Sequence, residues 1–391
     1  MVFTQNPTIS RRNLIISLRA GFVLIGIVTV LLGQILPILA IRLSLSDRES
    51  GYLFIGQFAG SLAGTLCYSR LVRKFGYPKM LCGGFFLMAV GCSGVNFDSW
   101  FWCVVAVSIY GFGIGLTIPA INMLVVELDR EKSSSALNTI NFYWGVGAIL
   151  CKPLVDFVGT PTSVAVPTML LGVFLLSVGV LIALLGHRED ANKSEEDTEA
   201  AIPIWTTKIA WLIAIFNFVH IGIESSVGGW ITTYQSRVMQ SSTGLISAAV
   251  VFFLMLVIGR GIAPVFFRFF TENTMLLGSL ITMTSGIVLI LQTDSFAFLL
   301  AGSAVIGFGC SSVFPTNMSR FTKLFGLNAT RNAMPIFVFG GLGGAFITWL
   351  VGFTSTTFDS LRAGFLVILA SCVSLIFLQI ILTKATARTT L

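Results

Sequence analysis

Charge is scarce in this chain. Asp, Glu, Lys and Arg make up 10% of its 391 residues, where a soluble domain carries about 25%. The deficit runs along the whole sequence. Together with 55% hydrophobic residues and a mean hydropathy of +0.91, it excludes an ordinary soluble domain and points to a polytopic membrane protein. Histidine is nearly missing, with only His187 and His220. An enzyme built on a nucleophile–base set or a metal cluster has little to draw on. The seven cysteines, Cys67, Cys82, Cys92, Cys103, Cys151, Cys310 and Cys372, form no CxxC pair. That argues against a disulfide framework and against a zinc site. There is no Walker motif, so ATP does not drive this chain by itself. Gly111-Phe112-Gly113-Ile114-Gly115 lacks the βαβ surroundings of a nucleotide loop. The net charge of +7 is scattered over short loops and marks no nucleic-acid surface.

What is present in abundance is apolar sequence in runs of roughly 20 residues, enough to cross a hydrocarbon core. Six lie near 19–41, 51–72, 79–97, 101–126, 134–158 and 164–186, and six more near 209–234, 244–269, 274–292, 296–320, 332–353 and 361–383. The one long hydrophilic stretch, His187 to Pro203, holds Glu189, Asp190, Glu195, Glu196, Asp197 and Glu199 and reads as a charged linker. The expected organisation is therefore a six-helix bundle over 1–186, a cytoplasmic linker over 187–203 and a second bundle over 204–391. Arg11, Arg12 and Arg19 precede the first run with no small-residue cleavage site after it, which predicts a retained span rather than a signal peptide.

Orientation follows from the basic residues. With both termini inside, the inner segments hold eighteen of the 24: Arg11, Arg12, Arg19, Arg70, Arg73, Lys74, Lys79, Arg130, Lys132, Arg188, Lys193, Lys208, Arg268, Arg320, Lys323, Arg331, Lys384 and Arg388. The outer segments hold Arg42, Arg48, Arg237 and Arg362, while Lys152 and Arg260 fall within spans. Both termini are expected to be cytoplasmic.

The halves also repeat. Gly111-Phe112-Gly113 and Pro119 recur 196 positions on as Gly307-Phe308-Gly309 and Pro315. At the same offset Gly145 and Gly147 recur as Gly341 and Gly343. Phe22, Val23, Ile25, Gly26, Ile27, Gly33 and Ile35 recur as Phe218, Val219, Ile221, Gly222, Ile223, Gly229 and Ile231. Six spans per half makes the repeats parallel, an arrangement used by carriers that move a solute across a bilayer.

Two parallel six-span halves joined by a charged loop resemble the major facilitator superfamily over essentially the whole chain. Members carry Gly-x-x-x-Asp-Arg-x-Gly-Arg-Lys-like residues between spans 2 and 3. Here the stretch is Leu71-Val72-Arg73-Lys74-Phe75-Gly76-Tyr77-Pro78-Lys79, with Arg73 where the acid is expected. In span 7, Gly222-Ile223-Glu224-Ser225-Ser226-Val227-Gly228-Gly229-Trp230-Ile231-Thr232-Thr233-Tyr234 is similar to a Gly-x-Glu-x-x-x-Gly-Gly-Trp/Tyr-Ile-x-x-Tyr pattern. That pattern belongs to sugar-type members near fucose permeases and sodium–glucose transporter-like proteins, and Gly259-Arg260 in span 8 fits the same branch. The resemblance implies an all-α membrane protein of twelve transmembrane helices, with a central cavity lined by spans 1, 2, 4, 5, 7, 8, 10 and 11. The acids that fucose permeases carry in spans 1 and 4 are lacking here, so their coupling residues are not carried over.

Polar groups inside spans are the candidate site. Glu224 lies about three residues beyond the middle of span 7, roughly 4.5 Å from the midplane. A charge there costs at least about 2.5 kcal/mol. It is a candidate for ion coupling, by proton or sodium, or for solute binding; the alternative is a static ion pair. His220 shares its helix face at i, i+4 and is a candidate relay or a packing histidine. Arg260 either binds an anionic group, pairs with Glu224 or bonds backbone carbonyls. In span 5, Asn138, Asn141, Gly145, Ala148 and Lys152 fall on one face, with Asp156 placed for a local ion pair with Lys152. Gln34, Gln57, Asn217 and Asn317, with Trp144 and Trp230, complete the candidate solute-binding set, because amides suit hydroxyls and aromatic faces suit sugar C–H groups. Asn122 lies toward the inner half with Asn217 and Asn317, and Tyr143 joins the aromatic residues of the set.

The function expected from this pattern is secondary transport of a small polar solute, a sugar foremost, by ion-coupled symport with alternating access. Proton antiport exporting an amphiphilic compound or organic anion is the alternative, and a non-transporting receptor or intramembrane enzyme is the different-class alternative. No cofactor beyond the coupling ion is expected. The partners are a solute and the bilayer, with no nucleic acid, and the chain is expected to work as a monomer in the plasma (inner) membrane.

Overall fold

The computed structural model describes residues 7–128, 133–160, 162–185, 204–239, 246–292, 295–325 and 333–387. The expected linker 187–203 and the basic residues Arg130, Lys132, Arg188, Lys193, Arg331 and Arg388 lie outside the described residues. Twelve α-helices follow in order: α1 (Pro7–Arg42), α2 (Asp47–Gly94), α3 (Trp100–Leu128), α4 (Ser133–Val158), α5 (Ala165–Leu185), α6 (Lys208–Met239), α7 (Ala248–Phe266), α8 (Glu272–Leu291), α9 (Phe296–Cys310), α10 (Val313–Phe325), α11 (Met334–Thr357) and α12 (Leu361–Ala387). A short 3-10 turn, Ile204–Thr206, precedes α6.

Among the described residues, ten helical segments are long and apolar enough to cross a membrane. The 48-residue α2 holds two of the expected crossings, spans 2 and 3. The loop anticipated between them is reduced to one residue, Gly76, at φ 76° and ψ 162°. A left-handed φ costs glycine nothing, and with Pro78 two residues on the chain changes direction there without a longer connection. The expected fifth span is α4, which is outside the ten because Asn138, Asn141, Lys152 and Asp156 lower its hydropathy. The expected tenth span is broken into α9 and α10.

That break has a cause. Pro315 lacks the N–H that would bond the carbonyl four residues back, and its ring crowds that carbonyl. The orphaned group is Ser311 O, which accepts instead from Arg260 Nε of α7 at 3.4 Å. The repeat-equivalent Pro119 sits inside α3 and orphans Gly115 O, which accepts from Thr65 Oγ1 of α2 at 3.3 Å. In both halves a side chain from another helix, α2 in the first and α7 in the second, replaces the bond that proline removes. The span stays helical in the first half and opens at Ser311–Ser312 in the second.

The chain forms two compact units, one of residues 1–43 and 56–196, the other of residues 44–55 and 197–391. In the first, α1 packs on α4, α5 and α3; in the second, α6 packs on α11 and α12, α7 on α9, and α8 on α9 and α12. The seams are built from glycine at repeat-equivalent places. A β-carbon on Gly147 would run into the Val23 carbonyl, and one on Gly343 into the Phe218 carbonyl. Gly111 lies in the same way against Gln57 O, and Gly307 against Phe252 O. The periodicity read from sequence is thus a periodicity of close helix approach.

In the second unit, the start of α2 is tightly held. Arg237 donates to both Asp47 oxygens at 2.6 and 2.5 Å, and Ser355 Oγ donates to Asp47 Oδ2 at 2.5 Å. The Arg48 N–H donates to Thr356 Oγ1 at 2.8 Å. Phe54 lies against Trp230, with ring centroids 5.9 Å apart.

Candidate functional site: a carboxylate between a histidine and an arginine

Three α6 side chains face the second unit's polar interior. Ser226 meets Thr348 Oγ1 of α11 at 3.2 Å, and Trp230 Nε1 donates to Thr348 O at 2.9 Å. Asn217 Nδ2 donates to Ile336 O at 2.9 Å near the start of α11. These bonds pin α6 to α11 along its length. From that fixed helix, Glu224 projects towards α7. Its Oε1 lies 3.7 Å from Arg260 Nη2, and its Oε2 lies 3.6 Å from His220 Nε2.

His220 is fully buried, and among the described residues neither of its ring nitrogens nor Glu224 Oε2 has a hydrogen-bond partner. The Glu224 side chain is 16% exposed and that of Arg260 33%, so the pair sits at the edge of the packed interior. Gly259 makes this placement possible, because any β-carbon there would collide with Ser311. Arg260 therefore has two roles at once. Its Nη2 faces the Glu224 carboxylate and its Nε holds the carbonyl freed at the α9–α10 break. At 3.7 Å and an effective dielectric constant near 20, the ionic attraction is on the order of 4 kcal/mol before the desolvation that opposes it.

In the first unit the cluster is neutral. Gln57 Nε2 donates to Thr29 O at 2.9 Å, Tyr110 Oη donates to Gln57 Oε1 at 3.1 Å, and Trp144 Nε1 donates to Thr29 Oγ1 at 3.4 Å. Four helices, α1 to α4, meet through these groups. Gln34 is buried on α1. Asn138 and Asn141 are exposed on α4, whereas Gly145 and Ala148 of the same stripe are buried; the stripe passes from an open to a packed environment along the helix. The Asn141 amide donates to Leu137 O at 2.8 Å within its own helix. Lys152 is ion-paired with Asp156 one turn on. Asn317, on α10, donates to Ile213 O at 3.2 Å, and both it and Asn217 retain an unpartnered carbonyl oxygen.

The sequence pattern thus brings together His220, Glu224 and Arg260 in one unit and Gln57 with Trp144 in the other. Trp230, Asn217 and Asn317 are buried and bonded to backbone carbonyls. Thr29, Tyr110, Thr348 and Ser311 take part without having been singled out. Hydroxyls and a lone backbone carbonyl carry no signature in a membrane sequence, although the proline at 315 marks Ser311 O by the four-residue rule.

The major facilitator superfamily model matches residues 20–346, and the chain belongs to that family. It is a multi-pass membrane transporter rather than an enzyme. It is 26% identical over 384 residues to sodium-dependent glucose transporter 1 of Danio rerio, covering 86% of this chain and 64% of that protein. The chain thus spans just under two thirds of that relative's length. It is 23% identical over 362 residues to a putative glucose/galactose transporter of Helicobacter pylori, covering 86% of this chain and 87% of the relative. Among solved structures, the nucleoside transporter NupG superposes with a TM-score of 0.80 at 14% identity, over 95% of this chain and 99% of that one. At that identity the likeness establishes the fold alone.

Proposed function

We propose that this transporter moves a sugar by ion-coupled symport with alternating access, as a monomer in the plasma (inner) membrane with both termini in the cytoplasm. The observation that carries the coupling is the chain His220–Glu224–Arg260–Ser311. A charged Glu224 attracts Arg260, and Arg260 in turn occupies the carbonyl at the α9–α10 break. When a proton or sodium ion neutralises the carboxylate, that attraction is lost. The guanidinium is then free to leave Ser311 O, and the break can change its angle. His220, unpartnered and in reach of Glu224, is placed to accept or hand on a proton.

The sugar reading is supported by the span 7 motif, by relatives named as glucose and galactose transporters, and by the stock of amides inside the spans. In this reading Asn138, Asn141 and Trp144 present hydrogen-bonding groups and an aromatic face to the solute. Gln34, Gln57, Asn217, Asn317 and Trp230 hold the surrounding helices, and Lys152 stays with Asp156. Reconstitution into proteoliposomes tests the proposal, with labelled glucose, galactose and uridine offered under separate proton and sodium gradients. Hexose accumulation driven by one gradient is the expected result. Accumulation of uridine alone would overturn the sugar assignment, and hexose equilibration indifferent to both gradients would overturn the coupling.

A further inference from the structure

A second polar cluster lies at the end of the second unit where α7 gives way to α8, beside a cavity of about 590 Å³. Its centre is Arg320 of α10, only 7% exposed. Arg320 Nη2 donates to Gln379 Oε1 at 2.7 Å and to Asn273 Oδ1 at 3.3 Å, and Nη1 has no acceptor among the described residues. Its guanidinium carbon stands 5.8 Å from the Phe216 ring centroid. Among the described residues no carboxylate is within ion-pair distance of it. Glu272, which lines the same cavity, is taken up by Lys323 Nζ at 2.7 Å and Ser319 Oγ at 2.9 Å. Among the described residues two cations face one anion, which leaves one positive charge of the cluster uncompensated there.

A buried charge without a counter-ion is costly, and neutral amides offset only part of that cost. The cavity beside Arg320 is also lined by Lys323 and its partner Glu272, by Asn273 and Thr271, and by the aromatic rings of Phe267 and Phe270, both of them exposed. A fork of guanidinium N–H groups suits a phosphate better than it suits a single oxygen.

From these observations we infer that the cavity between the α7–α8 turn and α10 is a binding site for a phosphate group, with Arg320 as its buried anchor and Lys323 at its mouth. The phosphate belongs either to a lipid headgroup, whose acyl chains would meet Phe267 and Phe270, or to a free anion in solution. Thermal unfolding of the purified full chain in detergent distinguishes them. The probes are dioctanoyl phosphatidic acid, dioctanoylglycerol and inorganic phosphate. A saturable rise in Tm with phosphatidic acid but not dioctanoylglycerol supports the site. An equal rise with inorganic phosphate assigns it to a free anion, and no rise assigns it to lipid. Arg320→Gln should weaken the midpoint concentration at least tenfold. Should that variant fail to fold, Lys323→Gln, at a side chain 67% exposed, should weaken it severalfold. Absence of a saturable shift with either phosphate probe, or midpoints unchanged in every folded variant, overturns the inference.

Discussion

Gly341 and Gly343 stand two residues apart on α11, and replacing each in turn by alanine separates packing from helix propensity. In a helix interior the change from glycine favours the folded state by about 0.5–1 kcal/mol. A β-carbon on Gly341 meets nothing within 4 Å, so Gly341→Ala should gain that amount. On Gly343 the same atom runs into Phe218 of α6, landing 2.6 Å from its carbonyl carbon and 2.8 Å from its α-carbon as well as on the oxygen. Backbone cannot rotate away, so α6 and α11 must separate, and such overpacking costs about 1–3 kcal/mol. Propensity is common to both variants and cancels. Their difference is therefore the clash itself, about 1–3 kcal/mol, with Gly341→Ala the more stable. Denaturant unfolding in mixed micelles measures it. Gly147→Ala, set against Val23 O in the other half, should repeat the loss. Equal stability of the two α11 variants would refute the claim that glycine closes the α6–α11 seam carrying Trp230 and Glu224.

Two further outcomes follow from the polar geometry. Lys152→Met should destabilise the protein by about 3 kcal/mol, because it leaves Asp156 largely buried without its cation. The double change Lys152→Met with Asp156→Leu should recover most of the loss and should keep transport; lost transport in a stable double variant would make Lys152 a solute ligand. Arg260→Gln should abolish gradient-driven accumulation and also lower thermal stability, since it loses both Glu224 and Ser311 O. Arg260→Lys keeps the charge but not the two-ended reach, so it should retain the stability better than the transport.

Much of this architecture was legible because hydrophobic periodicity and glycine spacing report helix packing directly. The 196-residue offset makes Gly147 and Gly343 equivalents, and both sit on backbone of the helix they cross. The i, i+4 rule placed His220 beside Glu224, and Lys152 beside Asp156. What the sequence concealed is tertiary. That Arg260 reaches the carbonyl orphaned by Pro315 depends on how α7 meets α9, and no local pattern encodes it. The Asp47–Arg237–Ser355 cluster joins residues more than a hundred positions apart, and the count of basic residues places Arg237 only in an outer segment. In α4 the helix-face argument put Asn138, Asn141, Gly145 and Ala148 together, but the first two are exposed and the last two packed, since one stripe can cross the rim of a bundle.

The central claim is that the charge on Glu224 is the coupled event. Glu224→Gln keeps the side chain's shape and removes its ability to gain and lose charge. The decisive measurement compares two assays on this variant in the same proteoliposomes: accumulation of labelled hexose against an ion gradient, and exchange of hexose between equal concentrations inside and out. Exchange needs no net ion movement. The account predicts that accumulation is lost while exchange persists. A well-folded Glu224→Gln protein that accumulates hexose fully, with unchanged ion dependence, would contradict it.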